Sequence, residues 1–280
     1  MGIKFFGQYL LEKGVISKEQ LLDAVAFQEK QNIKIGVYAM RKGYINKEQL
    51  ENILREQKNS DLKFGEIAIK MRYLTAEQVN EIITKQQNDH VYLGTALVMK
   101  GYMRKDVLDK ELQEYQREQM EYTPLRSFPA KIDNEADLIY LVELIERLLL
   151  RIADLKVKRG DILRKKGVFQ KGEYGIYVAF RGSISVTLLF NFAEVVALKV
   201  TEKLMGEPSD EDEVIKDALQ EFVNIVSGNI AAKLAQEGKT VEFSVPSCLI
   251  EDVKLDEDQA VFTVPYHTVE GLLMLGILLV

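Results

Sequence analysis

Along the first 119 residues the apolar and polar positions recur with a period of 29. Gly7, Gly36, Gly65 and Gly94 keep this spacing, as do Gly14, Gly43, Arg72 and Gly101. So do Leu21, Leu50, Val79 and Leu108, and Gln28, Gln57, Gln86 and Tyr115. A fixed period of this length marks an array of supersecondary units, none of which buries its apolar face alone. Each unit reads as a short helix, a glycine stop, a capped start and a second helix. Gly14 falls where a left-handed residue ends the first helix. Ser17, Asn46 and Thr75 are N-caps, with Gln20, Gln49 and Gln78 three residues on to complete capping boxes. Leu21, Ala24 and Val25 then recur at helical spacing, so the second helix has one buried face. The pattern predicts an all-α domain of four helical hairpins over residues 1–119.

The periodicity stops between Gln119 and Asn134, where Pro124 and Pro129 bar a continuous helix. This stretch, 120–134, is the expected linker, with Leu125 and Phe128 as candidates for packing on a neighbour. Beyond it Ala136–Ala153 reads as an amphipathic helix. Strand-like runs follow at Val168–Gln170, Gly175–Phe180, Ser183–Phe190, Val241–Val245, Ala260–Pro265 and Leu272–Val280. Helices Ala193–Met205 and Glu213–Gln236 interrupt them, separated by Gly206, Pro208 and the acidic loop Ser209–Glu213, whose charge favours a helix start. Residues 135–280 are therefore expected to form an α+β domain with a mostly antiparallel sheet covered by helices.

The helix Glu213–Gln236 has two unlike sides. Val214, Ile215, Ala218, Leu219, Phe222, Val223, Val226, Ile230 and Leu234 make the side expected to be buried. Asp217, Glu221, Asn224 and Gly228 fall at i, i+4, i+7 and i+11, one exposed stripe at 100° per residue. Taken alone, such a stripe is most simply a solvated face. A mid-helix glycine costs about 1 kcal/mol against alanine, so Gly228 is expected to admit the sheet or a partner close to the helix.

Composition narrows the chemistry. Cys248 is the one cysteine and His90 and His267 are the two histidines, which excludes a disulfide within the chain and a metal centre rich in thiolate or imidazole. The net charge of −6 divides into +2 for residues 1–119 and −8 for the remainder. With a pI near 5.3 the chain lacks the basic face of a nucleic-acid binder. No apolar run reaches a membrane span and the first residues lack a signal-peptide core, so a cytoplasmic protein without membrane insertion is expected. No glycine-rich phosphate loop is present, and no cofactor is expected to be bound by this chain.

Two family resemblances follow from these residues. The N-terminal half resembles tandem MshEN repeats, the cyclic di-GMP-binding domains at the N-terminus of type II secretion and pilus ATPases. Their pattern is Arg-Leu-Gly, then Leu, Gly, Leu and Gln at three, seven, fourteen and twenty-one residues after that glycine. Gly7, Leu10, Gly14, Leu21 and Gln28 match it, as do Gly36, Gly43, Leu50 and Gln57. The third unit has Arg72 for the second glycine, the fourth Tyr115 for the glutamine. The leading arginine is replaced by Phe5, Lys34, Lys63 and Tyr92; a lysine meets a phosphate as a point charge but lacks the guanidinium fork. Two readings stand: these positions cap and pack hairpins, or the first two units, with Lys34, bind cyclic di-GMP.

The stripe Asp217, Glu221, Asn224, Gly228 resembles the motif of the CheC/CheX chemotaxis phosphatases: Asp or Ser, three residues, Glu, two residues, Asn, three residues, Gly. Phe180–Val186, Leu204–Glu207 and Phe243–Ser247 resemble the elements around it, and one motif per chain resembles CheX. The resemblance implies a homodimer formed through the sheets and, as substrate, a phosphorylated CheY-like response regulator holding Mg2+ in its own site. It implies that Asn224 positions the attacking water, that Glu221 pairs with the regulator's lysine, and that Asp217 and Gly228 belong to the contact surface. The expected protein is thus a phosphatase in chemotaxis signalling, with an N-terminal module that senses cyclic di-GMP or docks a partner. The alternative is a non-catalytic adaptor that binds a receiver or a motility or secretion component.

Overall fold

A computed structural model describes residues 5–58, 60–120, 127–256, 259–269 and 271–279. The chain divides into two compact units, Lys4–Glu121 and one formed chiefly by Tyr122–Val280.

The N-terminal unit contains, among the described residues, eight helices: α1 (Phe6–Glu12), α2 (Lys18–Gln31), α3 (Ile35–Arg41), α4 (Lys47–Lys58), α5 (Phe64–Lys70), α6 (Ala76–Asn88), α7 (Leu93–Met99) and α8 (Lys105–Met120). The capping boxes lie where the pattern put them. Ser17 Oγ accepts from the Gln20 amide at 3.2 Å, and Gln20 Oε1 accepts from the Ser17 amide at 2.9 Å. Asn46 with Gln49 and Thr75 with Gln78 repeat the exchange. Gly14, Gly43 and Gly101 end the short helices with φ of 68°, 70° and 75°, and Arg72 adopts the same left-handed turn at 59°.

The hairpins do not pair in chain order. The first packs with the fourth around Leu10, Leu21, Ala24, Leu97 and Leu108, and the second with the third around Ala39, Ile53, Ile67 and Ile82. The first glycine of each unit sits against the aliphatic side chain fourteen residues on. A Cβ at Gly7 would lie 2.7 Å from Leu21, at Gly36 2.5 Å from Leu50, at Gly65 2.5 Å from Val79 and at Gly94 2.6 Å from Leu108. The Gly–Leu spacing is therefore a packing distance, because any side chain at the glycine overpacks the hairpin. Polar clamps close the pairs: Lys100 and Tyr102 both reach Asp23, while Lys42 and Tyr44 both reach Glu81, two periods away from Asp23. Each carboxyl is held below its usual range, Asp23 chiefly by Lys100 and Glu81 chiefly by the Tyr44 hydroxyl.

The second unit begins with α9 (Glu135–Ala153) and continues through β1 (Lys158–Arg159), β2 (Leu163–Lys165), β3 (Val168–Phe169), β4 (Tyr174–Gly182), β5 (Val186–Phe192), α10 (Glu194–Met205), α11 (Asp212–Gln236), β6 (Val241–Phe243), β7 (Ser247–Cys248), β8 (Val253–Lys254), β9 (Val261–His267) and β10 (Leu272–Leu279). The main sheet runs β1-β9-β10-β5-β4-β6, with β2 also on β9 and β7 also on β4. All described pairings are antiparallel. Alternate residues face one layer of three helices: Ile176, Val178 and Phe180 of β4, Leu188, Phe190 and Phe192 of β5, Phe262, Val264 and Tyr266 of β9, and Leu273, Leu275 and Ile277 of β10. The buried Tyr266 hydroxyl donates to the Val142 carbonyl at 2.9 Å, tying α9 to the sheet. On the other face Phe169, Leu189, Leu249 and Val261 form a smaller core with residues of the β3–β8 ribbon.

The three helices begin or end within a residue of expectation, and the strands depart more. β5 starts at Val186, not Ser183, because Gly182 (φ 121°) and Ser183 form the turn, where Ser183 exchanges hydrogen bonds with Thr240. Of the expected linker, 121–126, including Pro124 and Leu125, lies outside the described residues. Phe128 is in the core of the second unit, edge-on to Phe262 at 5.0 Å, so that unit begins before Glu135. Among the described residues no helix is long and apolar enough to cross a membrane.

Arg72 holds a left-handed conformation that costs a non-glycine residue about 1 kcal/mol or more. Among the described residues its exposed side chain makes no hydrogen bond or ion pair to offset this. Arg72→Gly is expected to stabilise the N-terminal unit by about 1 kcal/mol, and Gly101→Ala to destabilise it by a similar amount. Urea unfolding of the full chain, followed through the helical signal, reads both shifts.

Candidate functional site

The long helix α11 positions the site. Its first turn carries Asp212 and Glu213, favourable at the positive end of the helix dipole. Lys216 pairs with Asp212 and holds that carboxyl below its usual range. Ile215, Ala218, Leu219, Phe222, Val223, Val226, Ile230 and Leu234 are buried, and their contact with the sheet and with α10 fixes the rotation of the helix about its axis. Val214, expected among them, is half-buried. Two polar residues join the buried side. Ser227 Oγ donates to the Val223 carbonyl and Asn229 Nδ2 to the Ile225 carbonyl, each at 2.8 Å, so these two donors are taken up by the helix itself.

The rotation turns Asp217, Glu221, Asn224 and Gly228 together into solvent. Asn224 Nδ2 makes a long contact of 3.4 Å to Glu221 Oε2. That contact turns the amide nitrogen toward the carboxylate and leaves the amide oxygen for another partner. A Cβ at Gly228 would meet nothing within 4 Å, so no part of this unit approaches the helix there. Of the two roles expected for this glycine, admission of the sheet is removed.

Alongside the stripe runs the segment after β6. Gln220 Nε2 donates to the Pro246 carbonyl at 2.8 Å. Cys248 is half-buried in this segment, and burial pushes its thiol pKa up, Lys216 acting the other way. Gln220 is not among the residues expected to form the site, and its one signal in the sequence is its place between Asp217 and Glu221.

The ten nucleotide-binding candidates do not converge in this way. Gly7, Leu10 and Leu21 lie in the core shared by the first and fourth hairpins, while Gly36 and Leu50 belong to the core of the second and third. Gly14 and Gly43 are exposed turns. Gln28 Nε2 donates to the Val91 carbonyl at 2.9 Å, and Gln86, two periods on, does the same to Ile33 at 3.0 Å. Gln57 is half-buried, and Lys34 is exposed at the N-cap of α3.

An antiparallel sheet under one layer of helices, presenting an acid–amide stripe on the longest of them, defines the class of the second unit. Within it, residues 174–267 match the family model described as chemotaxis phosphatase CheX. The CheY-P phosphatase CheX of Thermotoga maritima is 30% identical over 91 residues, which make up 31% of this chain. The chain spans 59% of that relative's length. Among solved structures, a chemotaxis protein CheX from Desulfovibrio desulfuricans has 21% identity and a TM-score of 0.47, covering 52% of this chain and 99% of its own. The CheX–CheY–BeF3–Mg+2 complex from Borrelia burgdorferi has 19% identity and a TM-score of 0.40, covering 53% and 98%. By family model and curated relative, the C-terminal region is CheX-like.

With open space around Gly228 and no positive φ, Gly228→Ala is expected to stabilise the chain by about 1 kcal/mol. Chemical denaturation checks this, and a loss of stability would show that the glycine meets something within the fold.

Proposed function

We propose that the C-terminal unit is a phosphatase acting on a phosphorylated CheY-like receiver. The observation that carries the reading is the exposed Asp217, Glu221, Asn224, Gly228 stripe, set on one face of α11 inside the region that matches CheX. An aspartyl phosphate in a receiver lies beside Mg2+ and already has donors for its phosphoryl oxygens. What remains to be supplied is a water held in line with the P–O bond to the aspartate.

Asn224 supplies it by accepting a hydrogen bond from that water through the amide oxygen that the Glu221 contact leaves available. The water oxygen bonds to phosphorus, the bond to the aspartyl oxygen breaks, and inorganic phosphate leaves with the receiver carboxylate restored. An amide does not titrate near neutral pH, so the rate gain comes from positioning the water and not from general-base catalysis. Glutamine plays the comparable part in small GTPases. Glu221 meets the receiver's lysine and sets the register of the two proteins, and Asp217 extends the acidic contact.

Asn224→Ala is expected to slow receiver dephosphorylation by about 100-fold or more with the fold intact. The phosphoryl lifetime of a Mg2+-loaded CheY-like receiver, with and without each form of the protein, measures this. Equal lifetimes for wild type and Asn224→Ala would remove the mechanism, and receiver binding without any change in lifetime would make the protein an adaptor.

For the N-terminal unit, the packing roles of Gly7, Gly36 and Gln28 favour a scaffold that docks a partner over a nucleotide pocket built from the same residues. Titration calorimetry of the full chain with cyclic di-GMP is expected to give no saturable heat. Saturable binding that Lys34→Ala weakens would restore nucleotide sensing.

A further inference from the structure

The surface beside the stripe is unusual in its apolar content. Val245 and Ile250 are 80% and 92% exposed, the two most exposed large apolar side chains among the described residues. Neither sits on a loose loop. The Ser244 amide donates to the Ala179 carbonyl at 2.9 Å and the Ala179 amide to Ser244 Oγ at 3.1 Å. Tyr177 and Ile176 of β4 pair with Ser247 and Cys248, and the Leu249 amide donates to the Gly175 carbonyl at 2.8 Å. The Gln220–Pro246 hydrogen bond then fixes the segment against α11, three residues past Asp217 and four before Asn224. The Cys248 thiol, raised chiefly by burial, also feels Lys216, Asp212 and Asp217, which places the same segment beside the first turns of α11, where the stripe begins. A backbone held on both sides thus presents two β-branched side chains to water.

Lys216 neutralises Asp212, and Lys233 pairs with Glu237 at 3.0 Å, whereas Asp217 and Glu221 have no ion pair among the described residues. Two carboxylates without an ion pair, on a helix that Gln220 ties to the segment bearing both apolar side chains, fit a protein surface on which a basic group is set among apolar ones. An aqueous anion or a nucleic acid fits neither half of this arrangement.

We propose that Val245 and Ile250 form the apolar rim by which this face docks the receiver domain whose phosphoryl group Asn224 addresses. The inference rests on the receiver reading and adds where affinity and partner choice reside. The carboxylates set register and steer encounter, and the rim supplies apolar burial. Because β-branched side chains on a fixed backbone have little freedom to lose, that burial is converted to affinity efficiently.

The test compares wild type with the double variant Val245→Ser, Ile250→Ser, and with Asn224→Ala, all in the full chain. Binding is titrated with a CheY-like receiver loaded with Mg2+ and beryllofluoride, and turnover is followed with the phosphorylated receiver. The double variant is expected to raise Kd and KM about tenfold or more with kcat unchanged. Its melting temperature stays at the wild-type value, since both side chains already face water. Unchanged Kd and KM overturn the rim; the receiver reading still stands if Asn224→Ala is inactive in the same assay. A wild type that binds the receiver, loses that binding in the double variant and never shortens the phosphoryl lifetime sinks the phosphatase reading and keeps the docking surface. If the wild type binds none of the CheY-like receivers of its source organism, both fall.

Discussion

The contact between the apolar side of α11 and the sheet determines what the second unit can do. A helix with one buried side has one rotation about its axis, and that rotation decides which residues meet water. Phe222, Val223 and Val226 lie in the core beside Phe192 and Ile176. With them fixed, Asp217, Glu221 and Asn224 have no other place than the outer surface. Asn224 stands in no pocket; its amide nitrogen lies 3.4 Å from the Glu221 carboxylate one turn earlier. A site that acts on another protein is well served by this arrangement, since its groups stand on a rigid element and reach outward.

The N-terminal unit follows a different rule, in which glycine spacing sets how closely helices approach. The residues that give the repeat its signature are occupied with the unit's own assembly. Gly7 and Gly36 face leucines, and Gln28 and Gln86 bond carbonyls in the hairpins they pack against. A pattern of this kind records what a fold requires of each unit, and a ligand-binding role then calls for additional groups on the surface.

Much of this was legible in the chain. Long helices carry many turns of apolar periodicity, so α9, α10 and α11 were placed to within a residue, and the exposed stripe followed from their period. The strands β1, β2, β7 and β8 have two or three residues each, too few to show alternation, and were not seen. The partnering of the hairpins was also hidden, because self-similarity makes units equivalent without saying which two meet. A latent signal lay in the lysine and tyrosine flanking Gly43 and Gly101, whose carboxylate partners Glu81 and Asp23 are two periods apart. Val245 closes a run expected to be a strand, yet its side chain is 80% exposed, because alternation in so short a run does not say which face meets water.

The pairing of first hairpin with fourth, and second with third, also orders events in time. The inner pair closes a short loop, so its helices meet at small entropic cost, while the outer pair must bring together segments separated by the whole inner pair. During synthesis the inner pair can close as soon as α6 has left the ribosome. Leu10 and Leu21 of the outer pair wait, uncovered, until α7 and α8 arrive. The oldest part of the nascent module is therefore the last to be buried, and it is the part on which chaperones have the longest time to act.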